Sequence, residues 1–264
     1  MNLLINHNTS FLGVLLFAAG QGTSICEVIS TKMSCPATNN LPNYPLGNVY
    51  LSNGGVLDGV VVMCGGYTNA YQDKCYKFDE NTNSWVLLAT LPKARMAHRA
   101  VPLTSMGALW LEGGKWSQNG YWKETELVFL NGTVVPGPTM PTPRLSSCAV
   151  ELHDGRVLIM GKYITLYLLL TLWMLLVFCF EIYPLFVGSD GSGTGQKTTL
   201  FWDPVSDSFE VGQEMNQNRK ESGCALFTSP LHGDRPVVLI VGGQGLNKAE
   251  ILDYTATDTW EESM

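Results

Sequence analysis

A short apolar run that ends in a glycine pair recurs along this chain at near-constant spacing. The copies are Val60 to Gly66 (VVVMCGG), Ala108 to Gly114 (ALWLEGG), Arg156 to Gly161 (RVLIMG) and Val237 to Gly243 (VVLIVGG). The first glycines of three copies, Gly65, Gly113 and Gly161, lie 48 residues apart, which is far from helical-repeat lengths and close to the roughly 50 residues of one class of four-stranded β repeat. Two further blocks keep step with the first. A polar turn followed by an aromatic residue stands at 82–85 (Trp85), 206–209 (Phe209) and 257–260 (Trp260). An arginine precedes each following apolar run, at Arg95, Arg144 and Arg219. Such a chain must stack like units, each burying a face that it cannot bury alone.

The chemistry of the blocks specifies β structure. Runs such as 59–63 and 237–241 are short, β-branched and bounded by glycine, which predicts strands buried on both faces near the centre of the stack. The pairs Gly65-Gly66, Gly113-Gly114 and Gly242-Gly243 permit positive φ and close approach of neighbouring units. Asn83, Asp207 and Asp258 are placed to cap a turn, so that Trp85, Phe209 and Trp260 wedge between units. In this order the blocks resemble the kelch repeat family over about residues 47–260. That resemblance implies an all-β propeller of four-stranded blades, with these glycines and aromatics as structural repeat positions. It also implies five to seven blades in a closed ring, whereas four are visible. The expectation is a chain lacking C-terminal blades, with a ring completed by a dimer and an open four-blade fragment as the alternatives.

Composition limits the role. With 45% hydrophobic residues, 27 glycines and 13 prolines, the chain has the material for a substantial core of short strands and turns. The net charge of −7 with only 16 scattered basic residues provides no cationic footprint for nucleic acid.

Residues 1–24 read as a signal peptide, with an apolar run from Phe11 to Ala19 and small residues after it, although no Lys or Arg precedes the run. Residues 25–46 form an N-terminal segment before the blades of 47–264. Export fits the cysteines: Cys26, Cys35, Cys64, Cys75, Cys148 and Cys224 make an even set once the seventh, Cys179, is assigned to a hydrophobic insert. The expected bonds are Cys64 to Cys75 and Cys26 to Cys35. Cys148 and Cys224 occupy equivalent repeat positions and read instead as buried small residues. Asn131-Gly132-Thr133 is a glycosylation acceptor on a secretory route.

One segment breaks the repeat. Residues 163–180 (YITLYLLLTLWMLLVFCF) carry no charge and have the length of a membrane-spanning helix. Leaving their large apolar side chains in water would cost about 20 kcal/mol, more than the roughly 5 to 15 kcal/mol that stabilises a domain. A true span conflicts with the repeat, because its ends would lie about 27 Å apart while strands of one blade lie about 5 Å apart. Removing 162–187 joins Gly161 to Gly188 and restores the missing glycine pair. An insert encoded by a retained intron is therefore expected, with a single-pass membrane protein carrying a kelch ectodomain as the alternative.

No catalytic constellation emerges from the pattern, and the chain reads as a non-catalytic protein-binding scaffold without metal or other cofactor, secreted or lumenal. A copper oxidase related to galactose oxidase would need a His and Tyr ligand set, and His7, His98, His153 and His232 are dispersed. Sialidase-type boxes are incomplete at Ser189-Asp190-Gly191. The recurring arginines read as structural hydrogen-bond donors. The expected partner surface comprises the segments just after the glycine pairs: Tyr67 to Asp73, Lys115 to Lys123, Ser189 to Lys197 and Gln244 to Lys248. Trp116, Tyr121 and Trp122 are its best anchors, with Tyr67 beside them.

Overall fold

The computed structural model describes the backbone of 14–18 and 26–30, and residues 42–118, 120–161, 196–219, 221–243, 246–256 and 259–262 in full. The hydrophobic segment at 163–180, Gly188, Cys35 and Asp258 lie outside the described residues, as do most of the expected surface segment at 189–197 and part of that at 244–248.

The fold is all-β. Four antiparallel four-stranded sheets follow one another, each a meander in chain order and each with the form of a propeller blade. Blade 1 contains β3 (Asn53–Leu57), β4 (Val60–Cys64), β5 (Lys74–Asp79) and β6 (Ser84–Thr90). Blade 2 contains β7 (Arg99–Leu103), β8 (Ala108–Glu112), β9 (Glu126–Phe129) and β10 (Val134–Pro136). Blade 3 contains β11 (Cys148–Glu151), β12 (Val157–Met160), β13 (Thr199–Asp203) and β14 (Ser208–Val211), and blade 4 contains β15 (Gly223–Ser229), β16 (Arg235–Val241), β17 (Ala249–Leu252) and β18 (Trp260–Glu262). A separate antiparallel pair joins β1 (Val14–Ala18) to β2 (Cys26–Ser30), so extended backbone occupies the apolar run read as a signal. Among the described residues no helix is long and apolar enough to cross a membrane.

The innermost strands are β3, β7, β11 and β15, each packed on the next. The glycine-terminated runs form the second strands instead, so the expectation of a central position for 59–63 and 237–241 is corrected by one strand.

The core consists of layers between blades. Val62, Cys64, Ala89, Leu109, Leu111 and Val128 fill the first junction. Trp110, Leu127, Met140, Ile159 and Trp202 fill the second, with Phe209 packed against them. Leu158, Met160, Phe201, Val238, Ile240 and Trp260 fill the third. Phe209 and Trp260 are therefore wedges toward the preceding blade. Trp85 has a different neighbour, stacking edge-on against Tyr44 and Phe78. Residues 42–49 form no strand and place Tyr44 over the outer face of blade 1.

The turn before each aromatic is capped from farther upstream than expected. The Asp79 carboxylate accepts from the Asn81 amide and Thr82 hydroxyl, and Asp203 accepts from the Val205 amide and Ser206 hydroxyl. Asn83 and Asp207 supply the left-handed backbone of the same turns, with φ of 46° and 50°.

Arginines and glycines join the blades. The Gly66 amide donates to the Arg95 carbonyl (2.8 Å), and the Arg95 guanidinium donates to the Gly113 carbonyl of the next blade (2.9 Å). The relation repeats one blade on: Gly114 N–H donates to Arg144 O (2.8 Å), and Arg144 Nη1 donates to Gly161 O (2.9 Å). Arg219 donates in turn to the Gly242 carbonyl. All three arginines are buried. Arg95 pairs with Glu126 (2.6 Å) and Arg219 with Glu250 (2.9 Å). A Cβ on Gly65 or Gly113 would stand 2.5 or 2.4 Å from the carbonyl oxygen of Arg95 or Arg144, and both glycines have positive φ, so sterics and backbone conformation demand glycine together.

Two disulfides reinforce the blades. Cys64 bonds Cys75, its directly paired residue across β4 and β5. Cys148 bonds Cys224, which corrects the reading of both as free buried residues. Equivalence in the repeat is the reason: Cys148 is the first and Cys224 the second residue of the innermost strand of its blade, and adjoining innermost strands bring the two Cα atoms to 6.0 Å. This bond ties blade 3 to blade 4 across 76 residues of sequence, a loop length at which cross-linking the unfolded chain is worth about 4 kcal/mol in the chain-entropy model.

Because Glu250 is fully buried, removing its partner leaves an uncompensated charge. Arg219→Ala is expected to destabilise the fold by about 3–5 kcal/mol, and Arg219→Met combined with Glu250→Leu recovers only part of the loss, because the Gly242 and Lys248 carbonyls and the Asn216 and Gln217 amides still lose their partners. Urea unfolding of the three variants measures this.

Candidate functional site

One end of the sheets carries the segments that follow the glycine pairs and the connectors that enter each innermost strand. The other end carries the hairpin turns between first and second, and third and fourth, strands. In blades 1 and 2 the first end is built largely of aromatic rings.

The first loop is pinned by backbone bonds. Tyr50 and Tyr67 exchange amide–carbonyl hydrogen bonds (3.0 and 2.8 Å), and Gln72 N–H donates to Gly66 O (2.9 Å). The rings follow: Tyr50 to Tyr67 and Tyr67 to Tyr71 are each 5.2 Å between centroids. Burial, followed by the neighbouring Tyr67, Tyr121 and Tyr50, holds the Tyr71 hydroxyl above its ordinary pKa. Tyr121 comes from the loop of the next blade, so the two loops meet.

The second loop repeats the design with larger rings. Trp122 N–H donates to Gly114 O (2.9 Å), the counterpart of the Gln72 bond, and Trp116 N–H donates to Gly120 O (3.1 Å). Lys115 exchanges backbone bonds with Met96 (3.0 Å each). Trp116 and Trp122 lie 5.6 Å apart at 33°. Trp122 is anchored, its indole N–H donating to Ala94 O (3.0 Å) and Lys93 Nζ lying 4.6 Å above its ring. Trp116 rests on Gly120, where a Cβ would come within 2.5 Å of the indole, and it remains 48% exposed.

The structure therefore brings Tyr67, Trp116, Tyr121 and Trp122 onto one face and adds Tyr50 and Tyr71. Tyr71 lay within a segment already singled out. Tyr50 had no sequence signal, because its place beside Tyr67 depends on a pairing of the entry connector with the loop.

Beneath the aromatics lies a buried ionic layer that pattern reasoning missed. Glu112, at the end of β8, accepts a hydrogen bond from the Ser147 hydroxyl of the next connector. Burial pushes its carboxyl above the usual range, opposed by that hydroxyl and by Arg144, Arg99 and Arg95. His98 is buried beside Arg95 and Arg99, and burial, then Arg95, pulls its pKa down to about 3. Glu112, His98 and Arg95 in this layer are closed to solvent.

The other candidates lie elsewhere. His153 and His232 occupy turns at the opposite end of the sheets, remote from His98. Among the described residues, no group of three or more His, Cys, Asp or Glu side chains is placed to hold a metal ion. Asn131 is exposed in the turn between β9 and β10, also at the opposite end, and its Oδ1 accepts from the Thr133 amide (2.9 Å).

No protein-family profile matches the sequence, and no curated protein matches it. The fold is similar to the solved structure of YjhT, with a TM-score of 0.59 at 16% identity over 85% of this chain and 67% of that chain. At that identity the likeness concerns the fold alone.

His98 gives this layer a pH signature. Its pKa in the folded state, about 3, lies below the ordinary 6.5, so between those values the unfolded chain binds the proton that the native state refuses. Stability from this group is complete above pH 6.5 and falls with acidification, by up to about 1.4 kcal/mol per unit. Glu112, with its raised pKa, acts in the opposite sense. The difference between wild-type and His98→Asn unfolding free energies across pH 4–8 isolates the histidine: the wild type loses more stability below pH 6.5.

Proposed function

We propose that this chain is a kelch-type β-propeller acting as a non-catalytic protein-binding scaffold in the secretory or extracellular space. The observation that carries the proposal is the meeting of six aromatic rings, from separate segments of two blades, on one face. Trp and Tyr are favoured anchors because they bury much area for little lost side-chain freedom. Here the cost of ordering them is already met by the scaffold: backbone bonds fix both loops, and Gly120 and the Ala94 carbonyl orient the two indoles. Loops on rigid sheets vary without loss of core stability, which suits recognition.

The kelch assignment is supported by the recurring order of glycine pair, turn, aromatic and arginine, and by the joint that this order builds between blades. Export is supported by the two disulfides, which persist in oxidising compartments. On that route Asn131 is the glycan acceptor, and a glycan there extends from the end opposite the aromatic face, leaving the face open.

The two indoles separate binding from folding. The Trp116 indole makes no hydrogen bond among the described residues and is half exposed, so Trp116→Ala is expected to change stability by less than about 0.5 kcal/mol and to weaken partner capture at least about thirtyfold, as for a central anchor. Capture of cell-surface and secreted proteins by immobilised wild type and variant, quantified by mass spectrometry and paired with thermal unfolding, checks both. Unfolding of Trp116→Ala, or identical capture profiles, contradicts the proposal.

A further inference from the structure

The two ends of the sheets differ in charge. On the aromatic face of blades 1 and 2, Asp73 is paired with Lys74 (3.2 Å) and Glu124 with Lys93 (3.8 Å). Lys115 and Lys123 remain, and neither makes an ion pair among the described residues. They bracket the loop that presents Trp116, Tyr121 and Trp122. The turns at the opposite end hold Asp58, Glu80, Asp154, Asp207, Asp234 and Asp253. Of these, Asp154 and Asp253 are paired, with Arg156 and Arg235. The chain, of net charge −7, thus keeps two cations unpaired among the described residues on the loop that carries the half-exposed Trp116, and most of the described loop acids lie at the far end.

We infer that the occupant of the aromatic face is a short acidic polypeptide segment, its carboxylates beside Lys115 and Lys123 and an aromatic or prolyl side chain on Trp116. This rests on the reading of that face as a protein-binding surface. Complementary charge steers such a segment to this end and away from the acidic one. Length matters as well. Five-residue strands separate the two ends by roughly 17 Å, about twice the Debye length of about 8 Å at physiological salt. A short acidic ligand on the aromatic face is therefore screened from the distant acids. A long polyanion that runs past the edge of the face meets them, and two lysines form too small a cationic patch to hold it. An anionic polysaccharide is accordingly disfavoured against a peptide.

The test selects ligands without assuming their sequence. A random twelve-residue phage-displayed library is panned on the immobilised full chain, and the selected peptides are synthesised and measured against wild type, Lys115→Glu/Lys123→Glu and Trp116→Ala. Lys123 is exposed and Lys115 half-buried, and neither makes an ion pair among the described residues, so circular dichroism of the reversed variant should match wild type. The expected peptides are rich in Asp and Glu beside aromatic or proline residues, bind the reversed variant at least about tenfold more weakly, and lose affinity as salt rises from 50 to 500 mM. Neutral or basic peptides that still require Trp116 overturn the acidic assignment while leaving the binding face intact. Selected peptides indifferent to Trp116→Ala overturn the face itself. Heparin binding to wild type with nanomolar affinity, abolished by the lysine reversal, overturns the choice of peptide over polysaccharide.

Discussion

Each blade is held to the next by an arginine that serves two glycines. Its carbonyl receives the amide of one blade's glycine pair, and its guanidinium reaches the glycine carbonyl of the following blade. A second chain of contacts runs alongside: Ala97 N–H donates to Leu51 O, Ser146 to Ala97 and Glu221 to Ser146, at 2.8, 2.9 and 3.1 Å. All four residues have positive φ, a conformation that costs non-glycine residues of order 1 kcal/mol or more each. That this backbone recurs at the same place in every blade shows how strongly the joint dictates the local chain. The glycine and arginine blocks, separated by about thirty residues in sequence, are two halves of one contact.

That relation explains what could be read from the sequence and what could not. Glycines 65, 66, 113, 114, 242 and 243 announced the repeat because all six adopt positive φ, and at 65, 113 and 114 a Cβ would also collide with a neighbouring carbonyl. The strand-initial aromatics Phe209 and Trp260 were legible as wedges for similar reasons of size. Ala97, Ser146 and Glu221 were not, because their conformation is imposed by contact with the adjacent blade and leaves no residue-type signature. The Cys148–Cys224 bond was obscured by the repeat itself: an equivalent slot suggests an equivalent packing role, and only the distance between adjacent innermost strands reveals a bond. Trp85 shared the pattern of its counterparts yet meets Tyr44, since the segment before blade 1 supplies what a preceding blade supplies elsewhere.

The candidate site was legible in part. Trp116, Tyr121 and Trp122 stood out as a cluster within one loop, but their convergence with Tyr50, Tyr67 and Tyr71 depends on how the joint sets the angle and spacing of blades 1 and 2. The ionic layer of His98 and Glu112 shares its arginines, Arg95 and Arg144, with that joint. It holds charge where water is excluded, which is costly, and it is tolerated because Ser147 and the surrounding guanidinium groups offset the buried carboxylate. The resulting division of labour places the blade-to-blade hydrogen bonds in the connectors and the aromatic rings in the loops beside them.

Hydrogen exchange tests that division most directly. If the joints are the rigid element, the amides of Gly66, Ala97, Gly114 and Ser146 exchange only through opening that approaches global unfolding, while those of Ser117 and Gln118 in the exposed loop exchange within seconds. Joint amides that exchange as fast as the loop would contradict the account, because the aromatic face would then have no fixed frame to present it.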